Sequence, residues 1–194
     1  MEQVAELFLR DTAALITSYE NIGQFERARV LLEAVQKLDP DNEQVKSKLA
    51  QIGEKILVAN EFEFDIDPDG TWQEVGVVEK GRPIRIVIGG EYKFSMGLTS
   101  GADGIPNGGS GEGLVPGLPL GAIVGVILSP EQASAAGNGK RSDKQQRVFL
   151  VGSSHEKPAE GDGTLYVKAN LPPGSRATGR LKARISGPSS GTPK

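Results

Sequence analysis

Glu61-Phe62-Glu63-Phe64-Asp65-Ile66-Asp67 alternates acid and hydrophobe without a break. In an extended chain successive side chains point to opposite faces. The stretch therefore predicts a strand with carboxylates on one face and Phe62, Phe64 and Ile66 on the other. It also marks a boundary: before it apolar residues recur every three to four positions, and after it every two. The chain is predicted to be α+β, with helices and strands segregated.

Over residues 1–58 the spacing predicts three helices. The first buries Val4, Leu7, Phe8, Ala14, Leu15 and Tyr19, and breaks around Asn21 to Gly23. The second runs from Phe25 to Leu38 with Phe25, Ala28, Leu31, Leu32, Val35 and Leu38 inside. Asp39-Pro40-Asp41-Asn42 stops it, because Pro40 lacks an amide hydrogen and disfavours helix at Asp39. Asp41 or Asn42 then caps a third helix that buries Val45, Leu49, Ile52 and Ile56.

Beyond residue 60 about eight short strands are predicted. After the 61–67 stretch come Glu74–Glu79, Ile84–Ile88, Tyr92–Met96, Ala122–Leu128, Arg147–Val151, Thr164–Ala169 and Arg180–Ser186. Turn residues punctuate them and no helix intervenes, which points to a β-sandwich over residues 60–187. Two loops stand out. Residues 99–121 hold eight glycines, and residues 129–146 are rich in Ser, Ala, Gly and charge. A phosphate-cradling loop must end on a helix, whereas 99–121 leads into a strand and GxxxxGK[ST] is absent. The reading for both is a surface loop, and for the tail 188–194 disorder.

Composition narrows the chemistry. The 194 residues include no Cys and one His, which excludes disulfides, thiol nucleophiles, Cys-based metal sites and His clusters. A net charge of −3 argues against a generic nucleic-acid binder. No apolar run reaches the roughly 18 residues of a membrane span. The start, MEQVAELFLR, does not read as a signal peptide, so the cytoplasm is the default expectation, with extracellular or periplasmic placement as the alternatives.

Leu15, Tyr19, Gly23, Phe25, Ala28, Leu32, Leu38 and Pro40 fall at the spacing of a tetratricopeptide repeat, so that residues 9–42 resemble one such repeat, with the third helix in the place of a capping helix. Ile16 and Val35 depart from the pattern, standing where the family prefers small residues and suggesting looser helix contact. The resemblance implies a partner-binding surface carried by Leu15, Tyr19, Phe25 and Leu32. A single repeat cannot bury its face alone. That face is therefore expected to meet the sandwich, a copy of itself or another protein.

The strand half is similar to the PA-I type galactophilic lectin, a galactose-binding-like, jelly-roll-like sandwich. The resemblance rests on Trp72 with Val75-Gly76-Val77, Lys80-Gly81 before Ile84-Arg85-Ile86, and Gly89-Gly90-Glu91-Tyr92. It continues through Pro119–Ile127, Phe149-Leu150-Val151-Gly152, Gly163–Val167, Asn170 and Gly179-Arg180-Leu181. In that family calcium and sugar meet in the turn before the last strand. Here the turn is Asn170-Leu171-Pro172-Pro173-Gly174-Ser175-Arg176-Ala177-Thr178, where Asn170 is the one plausible ligand.

The remaining candidates each carry a plainer alternative. Asp65-Ile66-Asp67-Pro68-Asp69-Gly70 mimics the start of a calcium loop but has Gly76 at the closing-glutamate position; a Pro-Asp-Gly turn explains the same residues. Asp65, Asp67, Asp69 and Asn170 are thus the calcium candidates, and calcium the only cofactor candidate. Glu61, Glu63 and Asp65 alternate on one strand, as do Arg180, Lys182 and Arg184 on another; the two rows are expected to pair across neighbouring strands. Trp72 is either a sugar-stacking ring or a core residue. His155, beside Ser153 and Ser154, lacks a GxSxG elbow and reads as a loop histidine rather than half of a catalytic pair. The expectation is a non-enzymatic protein for interaction or self-assembly, a homo-oligomer or the binder of a protein partner. The alternative is a carbohydrate-binding module using Trp72 or the 99–121 loop.

Overall fold

The computed structural model describes residues 2–96, 114–137, 147–172 and 174–190. The chain divides into two compact units, Met1–Asn60 and Glu61–Lys194. The first is helical: α1 (Glu2–Asn21), α2 (Phe25–Leu38) and α3 (Glu43–Ala59). Gly23, at φ 72°, takes the left-handed turn between α1 and α2 that a side chain would resist. The Asn42 side chain accepts from the amides of Gln44 and Val45 and so caps α3. Among the described residues no helix is long and apolar enough to cross a membrane.

Ile16, Ala28, Leu32, Ile52 and Ile56 form the core of this unit, with Tyr19, Phe25, Leu31, Val45 and Leu49 against it. The buried face of α1 is turned from the expected one. Thr12 and Ile16 are buried, whereas Ala14 and Leu15 are exposed. Thr12, Ile16 and Tyr19 share one helical face at i, i+4, i+7, and that face meets the α2 residues Ala28 and Leu32. The side chains of Val4, Leu7 and Phe8 lie outside the described set. Glu20, its side chain 9% exposed, ties the end of α1 to α3 through Lys48 (2.8 Å) and Lys55 (3.0 Å).

The second unit holds eleven described strands in antiparallel sheets. These are β1 (Phe62–Ile66), β2 (Gln73–Val78), β3 (Pro83–Gly89), β4 (Tyr92–Ser95), β5 (Ile123–Leu128), β6 (Phe149–Leu150), β7 (Ser154–Pro158), β8 (Gly163–Ala169), β9 (Arg176–Gly179), β10 (Leu181–Ser186) and β11 (Ser189–Ser190). One sheet runs β1-β10-β3-β7, a second β11-β2-β8-β5-β6, and β4-β9 form a ribbon. Ile66, Ile84, Ile86, Leu181, Ala183 and Ile185 from the first sheet share one core with Val75, Val78, Ile123, Leu165, Val167 and Ala169 from the second. Phe149 fits over Gly125, where an added Cβ would come within 2.7 Å of the ring. The protein is thus α+β, with a sandwich-like strand unit.

Some elements escaped the periodicity. Strand β7, Ser-His-Glu-Lys-Pro, has no apolar alternation to read, and the four-residue β9 has one apolar residue. A short helix, α4 (Pro130–Gly137), stands where the sequence reads as loop. Its start is a capping box: the Gln132 amide donates to Ser129 Oγ and the Ser129 amide to Gln132 Oε1. Past Gly187, Pro188 is buried and Ser189–Ser190 pair with Val77 and Gly76, so strand structure continues into the stretch read as a disordered tail. Residues 191–194 lie outside the described set.

Burial pushes the Glu20 carboxyl pKa up, but the hydrogen bonds and charges of Lys48 and Lys55 outweigh it and hold it below its ordinary 4.5. The ionised form is therefore favoured by folding. Its stabilisation is complete above pH 4.5 and is lost as pH falls through the lowered value. Glu20→Gln should flatten the acid limb of the helical unfolding transition, followed by circular dichroism between pH 6 and 3.

Candidate functional site

The acidic and basic rows meet. Strand β1 lies antiparallel to β10 with Glu63 opposite Arg184 and Asp65 opposite Lys182, the arrangement expected from the two alternations. On the same sheet Arg85 of β3 makes two 2.9 Å contacts with Glu156 of β7. A fork-like pair of this kind is the better-defined form of ion pair.

Of the calcium candidates, Asp65 lies opposite Lys182 on β10, while Asp67, Asp69 and Asn170 are hydrogen-bonded to backbone groups. Asp67 accepts from the Asp69 amide at 3.0 Å, and the Gln73 side chain bonds both the amide and the carbonyl of Asp67. Asp69 reaches across to accept from the Ala177 amide at 2.6 Å. These contacts build a turn and tie it to β9, as the Pro-Asp-Gly alternative required. Among the described residues no group of three or more His, Asp or Glu is placed to hold a metal.

Asn170 is fully buried, and its amide acts as a clamp. Nδ2 donates to the carbonyls of Leu118 and Pro119, and Oδ1 accepts from the Val115 amide at 2.9 Å. Its backbone adds bonds to Gly121 and Ala122. Both amide hydrogens point at carbonyls, so the side chain pins the end of the 99–121 segment. Residues 99–113 of that segment lie outside the described set.

In the helical unit Leu32 is 4% exposed and belongs to the internal core, so it offers nothing to a partner. Tyr19 and Phe25 pack against that core, with Arg27 over the first ring and Lys55 over the second, at 5.8 and 5.6 Å. Leu15 differs: it is 44% exposed, and Ile22, Val30, Leu38 and Val58 are more exposed still. The interaction pattern in the sequence did not distinguish Leu15 from Leu32, because the same spacing serves an inner and an outer face.

Trp72 is half-buried and stands outside the core shared by the two sheets. Lys168 holds its ammonium 5.0 Å from the ring centre, a cation–π contact. Beside it the Tyr166 hydroxyl donates to Glu74 at 3.2 Å. Burial first, and the Glu74 charge second, raise the Tyr166 pKa.

His155 sits within β7 rather than in a loop. Its Nδ1 lies 3.2 Å from the Leu150 carbonyl, and its ring is 4.7 Å from that of Phe149. Burial lowers its pKa, the Leu150 hydrogen bond pulls it back up, and Lys157 lowers it again; the net direction is below 6.5.

No protein family model matches the chain, and no curated protein or solved structure shows significant similarity to it.

Asn170→Asp should lower the melting temperature more than Asn170→Ala, because a carboxylate would face two carbonyls. Millimolar calcium should leave the wild-type melting temperature unchanged in differential scanning fluorimetry. For His155 the folded state disfavours the proton. Stability should be complete above pH 6.5 and fall as pH drops through the lowered value. His155→Gln should remove that step, and the lone imidazole resonance should titrate below 6.5 by proton NMR.

Proposed function

We propose that this is a non-catalytic interaction protein that assembles with copies of itself through its helical unit. The observation that carries the reading is the apolar surface left after the helices have buried their own core. Leu15, Ile22, Val30, Leu38 and Val58 are all exposed, between 44% and 68%. Single exposed apolar residues are ordinary, but Leu15 on α1 and Ile22 just past its end are spaced i, i+7, off the face that buries Ile16. The resemblance of residues 9–42 to a tetratricopeptide repeat supports the same reading, since repeats of that kind bury their faces against neighbours. If the face of one copy meets a different face of the next, the contact is heterologous and generates rings or filaments.

The chemistry found elsewhere supports a non-catalytic role. Asn170, Asp67 and Asp69 are engaged with backbone groups, and His155 is engaged with Leu150 and Phe149. Each side chain is committed to holding the strand unit together.

Light scattering on a gel-filtration column, over a concentration series, tests the proposal. The wild type should elute above the 20.5 kDa of one chain and grow with concentration. Leu15→Asp should return it to a monomer with unchanged helicity. A wild type that stays at monomer mass at every concentration would overturn the reading.

A further inference from the structure

We infer that the edge of β1 turned away from β10, which no described strand pairs, is a docking strand for an extended peptide in which apolar residues alternate with Lys or Arg. The inference rests on the interaction reading above and deepens it by naming a partner chemistry, but it uses residues of the strand unit alone.

Strand β1 stands at the end of its sheet, in the order β1-β10-β3-β7, and among the described residues β10 is its only strand partner. An end strand presents a row of backbone amides and carbonyls that another strand can complete. The side chains then decide which strand fits. On the inner face Phe62 and Phe64 are only partly buried, although Ile66 is 1% exposed. They pack on the core and keep part of their surface exposed. On the outer face Glu63 and Asp65 are exposed.

Strand β10 shows what satisfies this pattern. It sets Ile185 opposite Phe62 and Ala183 opposite Phe64, and between them Arg184 opposite Glu63 and Lys182 opposite Asp65. A strand added on the far side of β1 meets the same alternation. Its apolar residues fall opposite the half-buried Phe62 and Phe64, and its basic residues opposite Glu63 and Asp65. This is strand addition, in which main-chain bonds supply affinity and alternate side chains supply specificity.

The same charges argue against a second copy of β1 as the occupant. Antiparallel pairing of β1 with itself would set acid against acid, which is unfavourable for directly opposed residues. The chain's own basic alternation in β10 is already paired on both sides, with β1 and with β3. The occupant of this inference is a segment of a different protein that carries the apolar and basic alternation of β10.

The probe is a seven-residue capped peptide alternating valine with lysine and arginine. One control has the same composition with its basic residues in a block, and a second alternates valine with glutamate. By isothermal titration calorimetry at low salt, the alternating basic peptide should bind about tenfold more tightly than the blocked one, the scale set by two cross-strand ion pairs. The glutamate peptide should not bind. Amide exchange on the wild-type protein should then slow over residues 62–66. The fourfold variant Glu63→Lys, Asp65→Lys, Lys182→Glu and Arg184→Glu preserves opposite charges between β1 and β10 while inverting the free edge, and it should prefer the glutamate peptide.

Equal binding of the alternating and blocked peptides overturns the inference, and so does protection that maps outside β1. Should the fourfold variant fail to fold, the exchange map on the wild type decides alone. The assembly reading fails separately, in the scattering experiment on the helical face.

Discussion

Two antiparallel sheets share a single apolar core, and the strand unit depends on keeping that core dry. Ile86, Ala183, Ile185, Leu165 and Val167 are all fully buried in it. Burying a side chain of the size of isoleucine or leucine contributes roughly 1.5–3 kcal/mol, against about 0.2–1 kcal/mol for a cross-strand charge pair. The core therefore decides that the sheets stack. The apolar alternation also fixes the register, because slipping β1 by one residue against β10 would turn Phe62, Phe64 and Ile66 outward, and in that register the outer charges meet as opposite pairs.

Several polar groups that look like ligands act in support of the core. Asn170 is buried because its amide replaces the water that the carbonyls of Leu118 and Pro119 would otherwise hold. Asp69 takes the Ala177 amide, and Asp67 closes its own turn. His155 fills the space between the edges of the two sheets, with Phe149 on one side and the Leu150 carbonyl within reach. Each of these groups is held in a position that suits the fold, and a ligand would have to compete with the backbone for it.

The helical unit solves a different problem. Three helices enclose a small core, and Glu20 joins α1 to α3 across a contact that few apolar residues make. So few residues cannot cover all of their apolar surface. The exposed Leu15, Ile22 and Leu38 are what remains, and they are the residues through which assembly is proposed. The β1 edge is a second kind of opening, polar in its backbone and acidic in its side chains. The two proposed contacts differ in chemistry for that reason.

Local chemistry determined much of this architecture. The change from a period of 3.6 to a period of two near residue 60 predicts where the units divide, and Pro40 and Asn42 predict where α2 ends and α3 begins. The acid and base alternations each recorded one sheet face, and β1 does pair with β10. Helix α4 reads as loop in the sequence, because no apolar periodicity accompanies Ser129 and Gln132, whose side chains cap its start. Tertiary structure alone decided the rest. The phase of α1, which buries Ile16 and exposes Leu15, depends on the face that α2 presents. Strand β7 pairs with β3 although its sequence carries no strand pattern. Asn170 became a clamp and Asp69 an anchor for β9 because residues more than 50 and 100 positions away came within hydrogen-bond range. Periodicity encodes which face of an element is apolar; it carries no record of what that face, or a lone polar side chain, will meet.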